Sequence, residues 1–162
     1  MRHISRLEGQ ATGVALIGVG ENGENQIIVA PGANDALSVQ LIPQASLSAD
    51  AVICQLEIPI PTIEAIAKLV TGFFAINLAP AAPIARDVLE RADLIIVNET
   101  EAAFYGDALS GLYGLVVVTL GAKGARMHLP DGNIITAAPP LVTPLDTTGQ
   151  GIHSSAPLLW HC

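Results

Sequence analysis

Residues 146–152 read Asp-Thr-Thr-Gly-Gln-Gly-Ile: an acidic residue, two hydroxyls and a Gly-x-Gly in succession. Such a run suits a loop that opens a helix and turns backbone N–H groups toward an anion. A phosphoryl-transfer site of this design needs a carboxylate directly after the loop, to take the proton from an attacking hydroxyl. Ile152 holds that position and accepts no proton, and Cys162 follows ten residues later.

Three further groups could do related chemistry. Gln55-Leu56-Glu57 follows an apolar run, and open α/β sheets bind ligands outside the carboxyl ends of their strands. A carboxylate there can accept a hydrogen bond from a sugar hydroxyl; a solvated loop glutamate is the plainer alternative. Asn98-Glu99-Thr100-Glu101 places a good N-cap residue three positions before a glutamate, an ordinary capping box. On spacing alone the cap accounts for it. The functional reading makes Asn98 a donor to nucleotide phosphate and Glu101 a holder of hydrated Mg²⁺. Thr119-Leu120-Gly121-Ala122-Lys123-Gly124 offers a hydroxyl and glycines that let backbone amides approach phosphate. Taken alone it reads as a turn, and no Walker loop occurs anywhere in the chain.

Other patterns fail for want of context. Gly18-Val19-Gly20-Glu21-Asn22-Gly23 matches G-x-G-x-x-G, but a strand-like run follows where a dinucleotide fold needs a helix. Gly23 therefore serves a hairpin turn. His3, His128, His153 and His161 are scattered without metal-ligand spacing, and no Gly-x-Ser-x-Gly elbow appears.

Composition narrows the class. A chain of 162 residues is long enough for one domain with a core. Charged residues make up 14%, against about 25% in ordinary soluble domains. Faces this poor in charge call for missing chain, a homodimer contact or a partner chain to cover them, although an Ala-rich genome gives the same bias. The net charge of −8 argues against nucleic-acid and anionic-membrane partners. Cys54 and Cys162 make no disulfide framework and fit a reducing, cytoplasmic setting. The start MRHISRLEGQ lacks the apolar core of a secretory signal. Residues 69–85 are free of charge but contain Asn77, Pro80 and Pro83, too short and too broken for a membrane span.

Positioning these residues requires alternating strands and helices. Residues 12–19 and 26–29 flank a polar turn as a hairpin. Residues 51–56 read as a strand buried on both faces. Pro61 then opens a helix carrying Ile63, Ile66, Ala67 and Val70 at helical spacing. Strands are expected at 73–77, 94–97 and 115–119, with a helix to about Arg91 and another from Glu99. Residues 126–129 and 134–136 form a second hairpin. The alternation implies right-handed crossovers and a parallel sheet covered by helices.

In order, these motifs resemble the PfkB-type, ribokinase-like carbohydrate kinase family. The likeness runs over residues 10–151 and rests on Thr12–Ile17, Gly32-Ala33-Asn34, Gln55-Leu56-Glu57, Asn77-Leu78-Ala79-Pro80, Asn98–Glu101, Thr119-Leu120-Gly121 and Asp146–Gly149. It implies an α/β, ribokinase-like fold: a partial parallel sheet flanked by helices, with a β-hairpin from the lid region near the N-terminus. The whole of 1–162 is then one partial kinase domain with a divergent tail at 152–162. The family reaction is ATP-dependent phosphorylation of ribose at its 5-hydroxyl. By resemblance Glu57 contacts the sugar and Asn98 the ATP phosphates. Thr119, Leu120, Gly121, Ala122, Lys123, Gly124 and Gly151 line the nucleotide site. Glu101 helps to position Mg²⁺, while Asp146 and the Thr148 carbonyl hold a monovalent cation such as K⁺. Gly149, Gln150 and Gly151 form the anion hole for the transferring phosphoryl group.

The departures are as telling. Family members carry an N-terminal portion with lid strands, a Gly-Gly sugar motif and a sugar-holding aspartate, which this chain lacks, so a truncated fragment is expected. The family tail reads Asp-Thr-Thr-Gly-Ala-Gly-Asp and continues into a long helix. Here Gln150 replaces the alanine, Ile152 the catalytic aspartate, and Pro157 would interrupt the helix. Read in the neighbouring frame, codons for 149–155 permit Ala-Gly-Asp-Thr-Phe-Phe. The hypothesis is a single-base loss near the Gly149 codon, and it fails if no one-base correction of the DNA restores Asp-Thr-Phe. No catalytic base remains as written, so the chain is expected to be inactive alone. The alternative is a non-catalytic nucleotide-binding or regulatory remnant acting with a partner subunit.

Overall fold

The computed structural model of this chain describes residues 6–20 and 25–139. Its first element is a hairpin of β1 (Val14–Val19) and β2 (Asn25–Ala30), paired antiparallel with Leu16 opposite Ile28 and Ile17 opposite Ile27. The strand following Gly18 is thus a hairpin partner rather than a dinucleotide-binding helix. Leu16, Ile17, Ile27 and Ile28 are all exposed, because neither face of this ribbon is covered by the described residues. Two short 3₁₀ turns, Gly32–Ala36 and Val39–Leu41, and the single-turn α1 (Gln44–Leu47) follow. None of these three was expected; such short pieces carry too little periodicity to be read.

Among the described residues the main sheet has six strands in sequence order: β3 (Ala51–Gln55), β4 (Phe73–Asn77), β5 (Leu94–Asn98), β6 (Leu115–Thr119), β7 (Ala125–His128) and β8 (Ile134–Ala137). The first four run parallel, and the last two add antiparallel. The crossovers are α2 (Ile60–Leu69), α3 (Arg86–Arg91) and α4 (Glu99–Tyr105). Pro61 lies in the first turn of α2, where its missing N–H has no intrahelical partner to lose. Thr62 ties that helix down by donating its hydroxyl to the Leu37 carbonyl at 2.7 Å.

Strand alternation divides the core in two. Cys54, Phe74, Ile76, Ile95, Val97 and Val116 pack against Leu47 of α1, Ile63 and Ile66 of α2, Val88 and Leu89 of α3 and Tyr105 of α4. Ala75, Leu94, Ile96 and Val117 form a separate cluster on the opposite face, with no helical residue among its members. All four α-helices of the described residues thus back one face. Stepping the same way across the sheet with right-handed crossovers requires this. It also corrects the reading of β3 as buried on both faces. β3 is the sheet's edge, and its Ile53, on the face without helices, is 57% exposed.

Two glycines make the close strand entries possible. A Cβ on Gly72 would lie 2.2 Å from the Ala49 carbonyl oxygen, and one on Gly114 would lie 2.1 Å from that of Ala92. Without side chains there, Phe73 N–H reaches the Asp50 carbonyl and Leu115 N–H that of Asp93, each at 2.9 Å.

Candidate functional site

Each of the four parallel strands is apolar until its last residue and then closes on a polar one: Gln55, Asn77, Asn98 and Thr119. All four lie at the carboxyl edge of the sheet, in two pairs staggered by two residues, because Asn77 sits beside Ile96 rather than Asn98. Gln55 is the Cα partner of Asn77, and Asn98 that of Thr119. Parallel strands lie about 4.8 Å apart, so the row spans four neighbouring tips. Glu57 hangs from the first, the start of α4 from the third and the 119–124 turn from the fourth. This edge brings together the described residues expected to form a site.

At the third tip the capping box is complete. The Asn98 side-chain oxygen accepts the Glu101 N–H at 2.8 Å, and Glu101 Oε2 accepts the Asn98 N–H, also at 2.8 Å. Glu101 is only 8% exposed. The cap does not exhaust either side chain. Asn98 Nδ2, a donor, and Glu101 Oε1, an acceptor, have no partner among the described residues. The plain reading and the functional one therefore use different atoms of the same residues.

Thr119 donates its hydroxyl to the Val97 carbonyl at 3.3 Å, which keeps its oxygen at the junction of the third and fourth tips. Beyond it, Leu120 N–H donates to the Gly124 carbonyl at 2.7 Å and Lys123 N–H to that of Leu120. Gly121 and Gly124 take φ of 55° and 92°, values that side chains disfavour. At the first tip, Gln55 and Glu57 are bonded twice. Glu57 N–H donates to Gln55 Oε1 at 2.7 Å, and Gln55 Nε2 donates to Glu57 Oε2 at 3.2 Å.

α4 is also held at its far end. The Tyr105 hydroxyl donates to the Ala82 carbonyl at 2.7 Å and accepts the Ala82 N–H at 3.3 Å, fixing the loop that leaves the second tip. Burial pushes the Tyr105 hydroxyl's pKa up, the Ala82 hydrogen bond pulls it down, and the charge of Glu101 raises it. On the helix side, burial raises the Cys54 thiol to about 11, leaving it a packing residue rather than a nucleophile.

Asp146, Thr148, Gly149, Gln150, Gly151 and Ile152 lie outside the described residues. The described chain ends at Pro139, close to the 119–124 turn. β8 runs beside Gly124, and a Cβ there would lie 3.1 Å from Cδ of Pro139. Asp146 comes seven residues after Pro139, a reach of at most about 25 Å.

Among the described residues, no group of three or more His, Cys, Asp and Glu could hold a metal ion. A lone acidic oxygen such as Glu101 Oε1 suits Mg²⁺, which keeps several waters and is otherwise bound by substrate phosphates. Also among the described residues, no helix is long and apolar enough to cross a membrane. A cavity of about 440 Å³ between α4 and the β7–β8 turn includes none of the tip residues. One of about 320 Å³ wraps the free edge of β3 and touches Gln55 and Asn34. The sequence by itself assigns no role to the Gln55 or Asn77 side chain, though both end an apolar run at the same sheet edge as Asn98 and Thr119. The recurring polar residue after four or more apolar ones was the signal.

The pattern of the pfkB family of carbohydrate kinases matches residues 1–151. The ribokinase of Schizosaccharomyces pombe is 30% identical, over 92% of this chain and 54% of its own length. A bifunctional ribokinase/ribose-5-phosphate isomerase A of Fructilactobacillus sanfranciscensis is 36% identical over 88% of this chain and 30% of its own. Among solved structures, the ribokinase of Thermotoga maritima superposes with a TM-score of 0.76 at 30% identity, covering 88% of this chain and 53% of that one. The chain thus spans about half the length of the yeast and Thermotoga proteins it matches.

Proposed function

This chain belongs to the pfkB family of carbohydrate kinases, and on that premise we propose that it is the nucleotide-handling portion of a ribose-type kinase. The family reaction it derives from moves the γ-phosphoryl group of ATP to the 5-hydroxyl of D-ribose. The observation that carries the reading is the shared edge, where Glu57, the Asn98–Glu101 pair and the 119–124 turn occupy the first, third and fourth strand tips with unused donors and acceptors.

In this reading Glu57 accepts from a sugar hydroxyl, and Asn98 Nδ2 donates to ATP phosphate. The turn from Thr119 to Gly124 flanks the nucleotide, with the Lys123 ammonium supplying positive charge. Glu101 Oε1 accepts from the water shell of Mg²⁺. Bound Mg²⁺ would neutralise charge on the β- and γ-phosphate oxygens. Asp146 and the Thr148 carbonyl are assigned to K⁺, and Gly149, Gln150 and Gly151 to the anion hole.

Turnover is a separate matter. Ile152 occupies the place of the general base, whose loss alone costs about 10²–10⁴-fold. The chain is therefore expected to bind Mg-ATP without phosphorylating ribose at kinase rates. Calorimetric titration with Mg-ATP and a coupled assay for ribose-dependent ADP production test both halves. Absence of saturable nucleotide binding defeats the first, and ADP release at ordinary kinase rates defeats the second.

A second reading, a non-catalytic nucleotide-binding remnant working with a partner subunit, draws support from exposed apolar surface. Ile53 and Phe73, on the face that carries no helix among the described residues, are 57% and 38% exposed, and Leu16, Ile17, Ile27 and Ile28 of the hairpin are exposed as well. Sedimentation distinguishes the two. A chain that stays monomeric at tens of micromolar and binds no other pfkB-family polypeptide argues against a subunit role.

A further inference from the structure

We infer that Gln55 is a positioning residue that aims the Glu57 carboxylate, leaving one of its oxygens preset as the acceptor for a sugar hydroxyl. This role rests on the sugar-binding reading of Glu57.

The geometry is a closed ring spanning one residue. Gln55 Oε1 takes the Glu57 N–H at 2.7 Å, and Gln55 Nε2 gives a hydrogen to Glu57 Oε2 at 3.2 Å. The backbone contact fixes which end of the amide is which. Only the oxygen can face an N–H, so the nitrogen must face the carboxylate. The residue between them is anchored: Leu56 is 7% exposed, and its N–H donates to the Ala79 carbonyl at 3.0 Å. Leucine burial and that bond hold the backbone, and the glutamine then restrains the one side chain left free to swing.

Two features separate this arrangement from a mere turn. Both Gln55 and Glu57 are exposed, so packing does not dictate the carboxylate's rotamer and the amide must. Glu57 also takes part in neither ion pair of the described residues. A lysine or arginine in place of Gln55 would hold the carboxylate too, but would neutralise it and compete with a hydroxyl. A neutral amide orients Oε2 and leaves Oε1, without a partner among the described residues, as a charged acceptor. Restricting a flexible side chain before binding removes part of the ordering cost from the binding step.

The test is D-ribose and Mg-ATP titration of the 162-residue chain by NMR, with thermal unfolding, for wild type, Gln55→Met, Glu57→Ala and the double variant. Gln55→Met should weaken ribose binding roughly 3–10-fold while ATP affinity and Tm stay unchanged. The double variant should bind ribose no more weakly than Glu57→Ala alone, since Gln55 acts only through Glu57. Wild-type ribose affinity in Gln55→Met overturns the inference. So do parallel losses of ribose affinity, ATP affinity and Tm, or a Gln55 effect that persists without Glu57. Wild-type chain that binds ATP but no ribose removes the sugar role of Glu57 itself, and this inference with it.

Discussion

Asn98 places two tasks on two atoms, and Asn98→Asp separates them. Its Oδ1 accepts the Glu101 N–H at 2.8 Å, while Nδ2 is the donor assigned to ATP phosphate. Aspartate caps helices about as well as asparagine, so folding stability should hold within about 0.5 kcal/mol. For a domain of this size that is a Tm change of about 2 °C. The donor, however, becomes an anionic oxygen. Losing a hydrogen bond to a charged group costs about 1.5–3 kcal/mol, and repulsion between carboxylate and phosphate adds to it. Mg-ATP affinity should therefore fall at least about 10-fold and on the order of 100-fold. Asn98→Ala removes both functions, with about 1 kcal/mol of lost cap stability besides. Calorimetric ATP titration and thermal unfolding of the three proteins decide the matter. If Asn98→Asp binds ATP within twofold of wild type, Asn98 is a cap and nothing more. If Asn98→Ala unfolds at the wild-type temperature, the capping box is not what holds the start of α4.

Glu101→Gln keeps an acceptor for the Asn98 N–H but loses charge, so α4 should persist while the Mg²⁺ dependence of ATP affinity weakens, as titrations with and without the metal would reveal. Phe74 is fully buried between the sheet and its helices, and Phe74→Ala should cost about 3–5 kcal/mol in urea unfolding, enough to leave little folded protein. Tyr105→Phe strips the Ala82 N–H and carbonyl of their shared partner and should destabilise by about 1–3 kcal/mol, with faster hydrogen exchange at Ala82. The Cys54 thiol, about 11 in the folded chain against 9.0 in the open, ionises first when unfolded. Its contribution is complete below pH 9 and disappears by pH 11. The urea midpoint should therefore fall more steeply across that interval in wild type than in Cys54→Val.

Local chemistry was readable without coordinates wherever it is written in short range. The apolar runs 73–77 and 115–119 became strands with those bounds, because β-branched and aromatic residues flanked by Gly and polar residues leave little alternative. The Asn98–Glu101 box and the Pro61 helix start followed from spacing of three residues or fewer. Residues 31–50 escaped, since single turns held by Leu37, Leu47 and Thr62 depend on packing partners far along the chain. The same limit hid the exposure of Ile53: an apolar strand reads alike at the centre of a sheet and at its edge, and only strand order tells them apart.

The order of residues alone determined which groups could meet a phosphate or a sugar, because donor, acceptor and charge belong to residue type. Tertiary structure decided that Gln55, Asn77, Asn98 and Thr119 share one edge, since parallel crossovers return every strand in the same direction. It also decided which of their atoms remain free. Hydrogen bonds close between neighbours in space, and the Gln55–Glu57 ring and the Asn98–Glu101 box each spend one oxygen of the carboxylate and leave the other.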